Sequence, residues 1–343
     1  MELPMSTATD LGNAIHRQSI VIDALAGTTF SFEQLKQAGV TAAHLTLAAH
    51  DEGFLRAIEW VKDYYAALQT YPRDLLLVRT AADIRRAKQE GKVGLILGFQ
   101  TASPLEDDLT NLWIFAELGI RIIQLTYMGR NRVGYGCYED DDHGLTYFGK
   151  TLIREMNRLG ILVDLSHSGW KTAEDALAES KAPVVFTHSN PVSLCPNRRN
   201  VPDALLKAVA ERGGVVGING HPAICATDPD RRPTFNDYIR VLDYTVELIG
   251  IDHVGLGPDL FDGFTAWQAF RWDRRYDELD NPWGVTEGLA READLLKVAP
   301  ALIDLGYSEV EVQKILGLNF LRVFEAVWGT TPSNIEKQQR PQP

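Results

Sequence analysis

The stretch GKTLIREMNRLGILVDLSHSGWKTAEDALAESKAPVVFTHSN, residues 149–190, decides the fold. It begins inside the helical segment FGKTLIREMNRLG (148–160), where Gly160 stands at the place of a helix C-cap glycine. ILVDLSH (161–167) follows as a short apolar run ending in polar residues, and PVVFTH (183–188) is a second such run after a helix-length segment. Apolar runs of this length, bounded by helices, are the mark of parallel strands buried on both faces.

The alternation extends in both directions. Upstream lie strand candidates SIVIDALAG (19–27), GVTAAHLTL (39–47), KVGLILGF (92–99) and IRIIQLTY (120–127); downstream lie GVVGING (214–220) and HVGLGPD (253–259). Helices are predicted over 53–69, 107–118, 203–214 and 235–250, with two or more closing the chain over 286–305 and 308–328. In the first of these, Phe54, Ile58, Val61, Tyr65 and Leu68 share one face. Eight strands alternating with helices predict a (β/α)8 TIM-type barrel with extra C-terminal helices. A doubly wound open sheet competes, but no GxGxxG follows the first strand. The barrel domain is expected over 19–329, after an N-terminal extension (1–18) and before a polar, loose tail (330–343). The longest irregular stretches, 128–146 and 259–285, are placed over the barrel mouth.

Composition narrows the function classes. The chain of 343 residues is 45% hydrophobic and 23% charged, ordinary globular values. Its net charge of −12 argues against nucleic acid or an anionic membrane surface as partner. Three cysteines, Cys137, Cys195 and Cys225, are too few for a disulfide scaffold and fit a reducing compartment. No apolar leader opens the chain and no stretch of membrane-spanning length occurs, so a soluble, cytoplasmic protein is expected.

A barrel enzyme keeps its chemistry at the C-terminal ends of its strands. Gln100, Tyr127, Asp164, His167, His188, Asn219, His221 and Asp259 all fall there. His167 and His188, at the ends of consecutive strands, are candidate zinc ligands, and Asp259 is a candidate general base. Arg198, Arg199 and Asn200 sit together beyond the sixth strand and suit an anion, with Arg199 the carboxylate anchor. His16, His44, His50 and His253 have no such support and are read as structural, as are Cys195 and Cys225.

At these residues the chain resembles the renal (membrane) dipeptidase family of barrel metallohydrolases. The likeness rests on N-R-L-G with D-L-S-H (157–167), on T-H-S 21 residues after the first histidine, on R-R-N-V-P-D (198–203), and on HVGLGPDLFDG (253–263). The resemblance implies hydrolysis of the amide bond of a small dipeptide-like or N-acyl amino-acid substrate, two zinc ions in typical members, and a homodimer. It implies that His167 and His188 are metal ligands, that Asp259 handles the attacking water and departing amine, and that Arg199 binds the substrate carboxylate. Gln100, Tyr127 and Asn200 complete the implied substrate contacts, Tyr127 standing where many members place a histidine.

The departures are as informative. Where the family reads D-G-H-x-D this chain reads Asp23-Ala24-Leu25-Ala26-Gly27, so Leu25 and Gly27 replace both first-strand ligands. The bridging glutamate falls at Gln100, a neutral amide and a poor bridge between two cations. One zinc ion rather than two is therefore expected. Cys137 or Glu139, in the acidic loop 130–149, is a candidate further ligand. Two other readings stand beside this one: a barrel repurposed for a non-peptidase reaction on an amino-acid derivative, and a non-catalytic binding protein.

Overall fold

The computed structural model describes residues 5–27, 31–49, 52–228, 230–260 and 283–329. His50, most of the 259–285 segment and the 330–343 tail lie outside the described residues. Among the described residues nine parallel strands form one sheet: β1 (Ile22–Ala26), β2 (Ala42–Thr46), β3 (Leu75–Leu77), β4 (Val93–Phe99), β5 (Ile120–Gln124), β6 (Leu162–Asp164), β7 (Val185–Phe186), β8 (Val215–Ile218) and β9 (Val254–Leu256). Eight of them run β1-β2-β4-β5-β6-β7-β8-β9, and a parallel bridge between Ala26 and Leu260 brings the two ends together. The result is a nearly closed (β/α)8 barrel.

The extra strand, β3, was not foreseen. It pairs with Val93–Leu95 of β4, whereas β5 pairs with Leu97–Phe99, so the longest strand serves two neighbours in succession. Three leucines after a helix carry too little periodicity to announce a strand. The regular strands are also shorter than the apolar runs suggested. Beyond β4, β6, β7, β8 and β9 the chain leaves the ladder, and Gln100, His167, His188, Asn219 and Asp259 follow there.

Two apolar layers hold the barrel. Outside, Leu45, Leu97, Phe99, Ile123 and Val163 pack against the surrounding helices. Inside, Ile22, Ala42, Ile96, Ile122, Leu162, Val185 and Val215 meet Phe320 and Phe324 of helix Asn319–Trp328, which plugs the N-terminal end of the barrel. Asn319 locks that helix by donating to the carbonyls of Ile251 and Val254. The N-terminal helix Met5–Gln18 packs along helix Val298–Asp304, so most of the expected extension belongs to the folded body. Thr146 caps helix Tyr147–Leu159 and Gly160 ends it at φ +66°, where a side chain would be strained. No helix among the described residues is long and apolar enough to cross a membrane.

Candidate active site

The C-terminal ends of the strands converge on one polar cluster. His167 lies three residues beyond β6 and His188 two beyond β7, and their Nε2 atoms are 3.0 Å apart. Gln100, the residue after β4, places its amide nitrogen 3.4 Å from the same atom of His188. The ring of Tyr127 stacks on His167 at 4.2 Å between centroids. Asp259, three residues beyond β9, accepts a hydrogen bond from the Asn219 amide at 3.1 Å.

Sequence makes room for this crowding. A Cβ added at Gly217 would lie 2.0 Å from the Thr187 carbonyl oxygen, and one at Gly257 1.8 Å from it. These two glycines let the Thr187–His188 segment press against β8 and the end of β9. His167 and Asp259 both occupy the left-handed region, at φ +62° and +56°. Such conformations cost about 1–3 kcal/mol each in residues other than glycine and collect at functional sites.

The electrostatics follow from burial. Desolvation pushes the Asp259 carboxyl up to about 6, against the opposing pull of the Asn219 hydrogen bond and the Arg199 charge. His188 is fully buried, and desolvation, then the positive charge of Arg199, holds its imidazole well below the usual range and therefore neutral. His221 is held down to about 4 for the same two reasons. Arg199 is 2% exposed. Its guanidinium donates to Ser189 Oγ at 2.9 Å and to the His188 carbonyl at 2.8 Å, while its Nε is buried without a partner. No ion pair joins Arg199 to a carboxylate among the described residues, so this buried cation has spare donors.

Two of the expected contacts sit elsewhere. Asn200 is fully buried, and its amide donates to the carbonyls of Cys195 and Ile224, which ties the 191–201 turn to the next segment rather than facing a substrate. The loop 130–149 brings no third ligand to the histidines. Glu139 turns its carboxylate to the Arg130 amide at 2.7 Å, and Cys137 packs among Met128, Tyr138 and Ile224 while its own amide donates to the His167 carbonyl. The loop's acidic run caps a helix instead: Asp142 accepts from the amides of Lys171 and Thr172 at the start of helix Trp170–Glu179. Among the described residues no group of three His, Cys, Asp or Glu side chains is arranged to hold a metal. His16, His44 and His253 each engage a backbone carbonyl, of Ala38, Ala24 and Gly214. The sequence reading did not single out Ser189 or Thr187 and gave no role to Asn219 or Asp164; their signal was only their place at strand ends.

Comparison with known proteins agrees with this architecture. The family model described as "Membrane dipeptidase (Peptidase family M19)" matches residues 2–338. The chain is 31% identical over 265 residues to "Dipeptidase tcpJ" of Claviceps purpurea (strain 20.1), an alignment covering 76% of this chain and 57% of that protein. It thus spans little more than half the length of that relative. It is 33% identical over 262 residues to the "Uncharacterized protein in pqqA 5' region" of Klebsiella pneumoniae, covering 74% of this chain and 89% of that one. Among solved structures, an amidohydrolase from Pseudomonas aeruginosa superposes with a TM-score of 0.85 at 34% identity, over 93% of this chain and 99% of its own. With the fold, the strand-end cluster and these matches in agreement, the chain belongs to the membrane dipeptidase family, peptidase family M19.

Proposed function

We propose that the chain hydrolyses the amide bond of a small dipeptide-like or N-acyl amino-acid substrate whose free carboxylate is held by Arg199. The observation that carries this reading is the buried Arg199 guanidinium, with spare donors and no ion-pair partner among the described residues, beside His188 and within the electrostatic reach of Asp259. A planar guanidinium matches a carboxylate in two parallel hydrogen bonds. Asp259, raised to about 6, is poised to take a proton from water near neutral pH and return it to the leaving nitrogen. Asn219 steadies one of its oxygens and leaves Oδ1 for the proton.

The zinc of the family is tested by the donor set. Leu25 is fully buried and apolar, Gly27 has no side chain, and Gln100 offers a neutral amide, so the residues do not fit two ions. They fit one. The Nε2 atoms of His167 and His188 face each other and would take two positions of a single ion, and the Gln100 amide, turned to present its oxygen, lies beside them. A zinc ion held there would polarise the scissile carbonyl.

The test is amine release from a panel of dipeptides and N-acyl amino acids, each paired with its carboxamide, using the full chain with and without added zinc. Free-carboxylate substrates should be cleaved about 100-fold faster than their carboxamides, the loss expected when a buried charge goes unpaired. No cleavage of any member overturns the reading. The missing first-strand pair favours one alternative, a non-peptidase reaction on an amino-acid derivative, which carboxylate-dependent binding without amine release would single out.

A further inference from the structure

We infer that Asp164 and Thr187 form a positioning relay that fixes the tautomer of His188 and keeps its bare Nε2 facing the mouth of the barrel. The relay rests on the placement of His188 in the reading above, but what reports on it is the imidazole itself, apart from hydrolysis.

Asp164 ends β6 and is fully enclosed inside the barrel. Its Oδ1 accepts from the amides of Ser166 at 2.9 Å and Thr187 at 3.0 Å, and its Oδ2 accepts the Thr187 hydroxyl at 2.5 Å. A hydroxyl has one proton to give. With that proton on Asp164, the 2.7 Å contact between Thr187 Oγ1 and His188 Nδ1 has one possible direction: Nδ1–H donates and Oγ1 accepts. Ser166 Oγ lies 3.3 Å from Thr187 Oγ1 and accepts from the His188 amide, so it can fill the remaining lone pair of Oγ1 without disturbing this order. His188 Nε2 is then left without a proton.

The opposite tautomer is penalised. A lone pair on Nδ1 would face the lone pairs of Oγ1, and the hydroxyl would have to turn away from a buried carboxylate to relieve it. The consequence reaches the other imidazole. Two bare nitrogens 3.0 Å apart repel, so His167 must bring something positive to the contact, either a proton on its own Nε2 or a cation. Gln100 is compatible with both states, because its amide can donate to His188 Nε2 or turn its oxygen outward. Outer hydrogen bonds that set ligand tautomer and basicity in this way commonly govern metal affinity.

The experiment is a long-range proton–nitrogen correlation spectrum of the 15N-labelled full chain at pH 8, with His188 assigned from the His188→Asn variant. The wild type should show His188 protonated on Nδ1. Thr187→Val keeps the shape and removes the hydroxyl, so the preference should fall about 10-fold or more, and Thr187→Ser should restore it. Zinc alone, titrated against a chelator, should bind about 10- to 100-fold more weakly to Thr187→Val than to Thr187→Ser. A wild-type His188 protonated on Nε2 overturns the relay even if the valine variant fails to fold. An unchanged tautomer in a folded Thr187→Val also overturns it. A wild-type ring protonated on Nδ1 in a protein that cleaves nothing on the panel supports the relay and refutes only the hydrolase reading.

Discussion

Asp259→Asn should stabilise the fold while abolishing turnover. Burial raises the Asp259 carboxyl from 3.8 to about 6, so the folded chain pays to ionise it. The shift is 6 − 3.8 = 2.2, equivalent to about 3 kcal/mol at 1.36 kcal/mol per unit. The residue keeps partial exposure although its Oδ1 is enclosed, and screening reduces the expected effect to about 2 kcal/mol. The sign follows from proton binding. Between about pH 4 and pH 6 the folded protein holds a proton that the unfolded chain has released, so stability falls as pH rises through that window and is level above it. Asparagine keeps the shape, tolerates the left-handed backbone at φ +56° and still accepts from Asn219. Urea unfolding at pH 8 should therefore find Asp259→Asn more stable by about 2 kcal/mol, with the gap closing toward zero at pH 4. Asp23, raised to about 8 chiefly by burial and least by the charge of Asp259, loses that last contribution in the variant, which adds to the gap at pH 8 in the same direction. Turnover should fall about 100-fold or more, and wild-type kcat/KM should decline as pH drops through about 6. A gap that is absent at pH 8 or does not vary with pH refutes the burial argument; near-normal turnover refutes the role of Asp259 in proton transfer.

Arg199→Met should lower kcat/KM about 100-fold for carboxylate substrates and leave their carboxamides nearly unchanged; an equal loss on both would show that Arg199 serves the fold instead. Leu25→His with Gly27→Asp and Gln100→Glu should raise zinc capacity by one ion per chain, read by elemental analysis beside a melting curve; a folded variant with unchanged capacity counts against the placement of the missing site. Gly257→Ala places a Cβ about 1.8 Å from the Thr187 carbonyl and should cost about 3 kcal/mol or more in urea unfolding. Asp142→Ala should cost about 1–2 kcal/mol by uncapping helix Trp170–Glu179 while leaving catalysis intact, and a lost activity would return the acidic loop to the site.

The barrel was legible because parallel strands buried on both faces leave continuous apolar runs, and eight of them stand at helix-length spacing. β3 was not, since three leucines that share one edge of β4 with β5 look like the tail of a helix. His167, His188, Arg199 and Asp259 stood out as polar residues where an apolar strand ends, and the structure places all four at the mouth end of the barrel. The acidic loop offered Cys137 and Glu139 for their ligand chemistry, but Cys137 packs among Met128, Tyr138 and Ile224 and the Glu139 carboxylate accepts from an exposed amide. Asn200 misled through its neighbours, since it shares a turn with Arg199 yet points its amide at backbone carbonyls. The Asp164–Thr187–His188 chain was hidden because it crosses from β6 to the end of β7, and no local spacing encodes which hydroxyl proton goes where. The left-handed backbone of His167 and Asp259 carries no sequence signature either.

The central proposal is that this site offers one cation position, built on two imidazoles. Zinc stoichiometry at saturation, measured on the full chain and on a His167→Ala, His188→Ala double variant, tests it most directly. One ion per chain is expected in the wild type and none in the double variant. Two ions, no ion, or one that survives the loss of both imidazoles would contradict it.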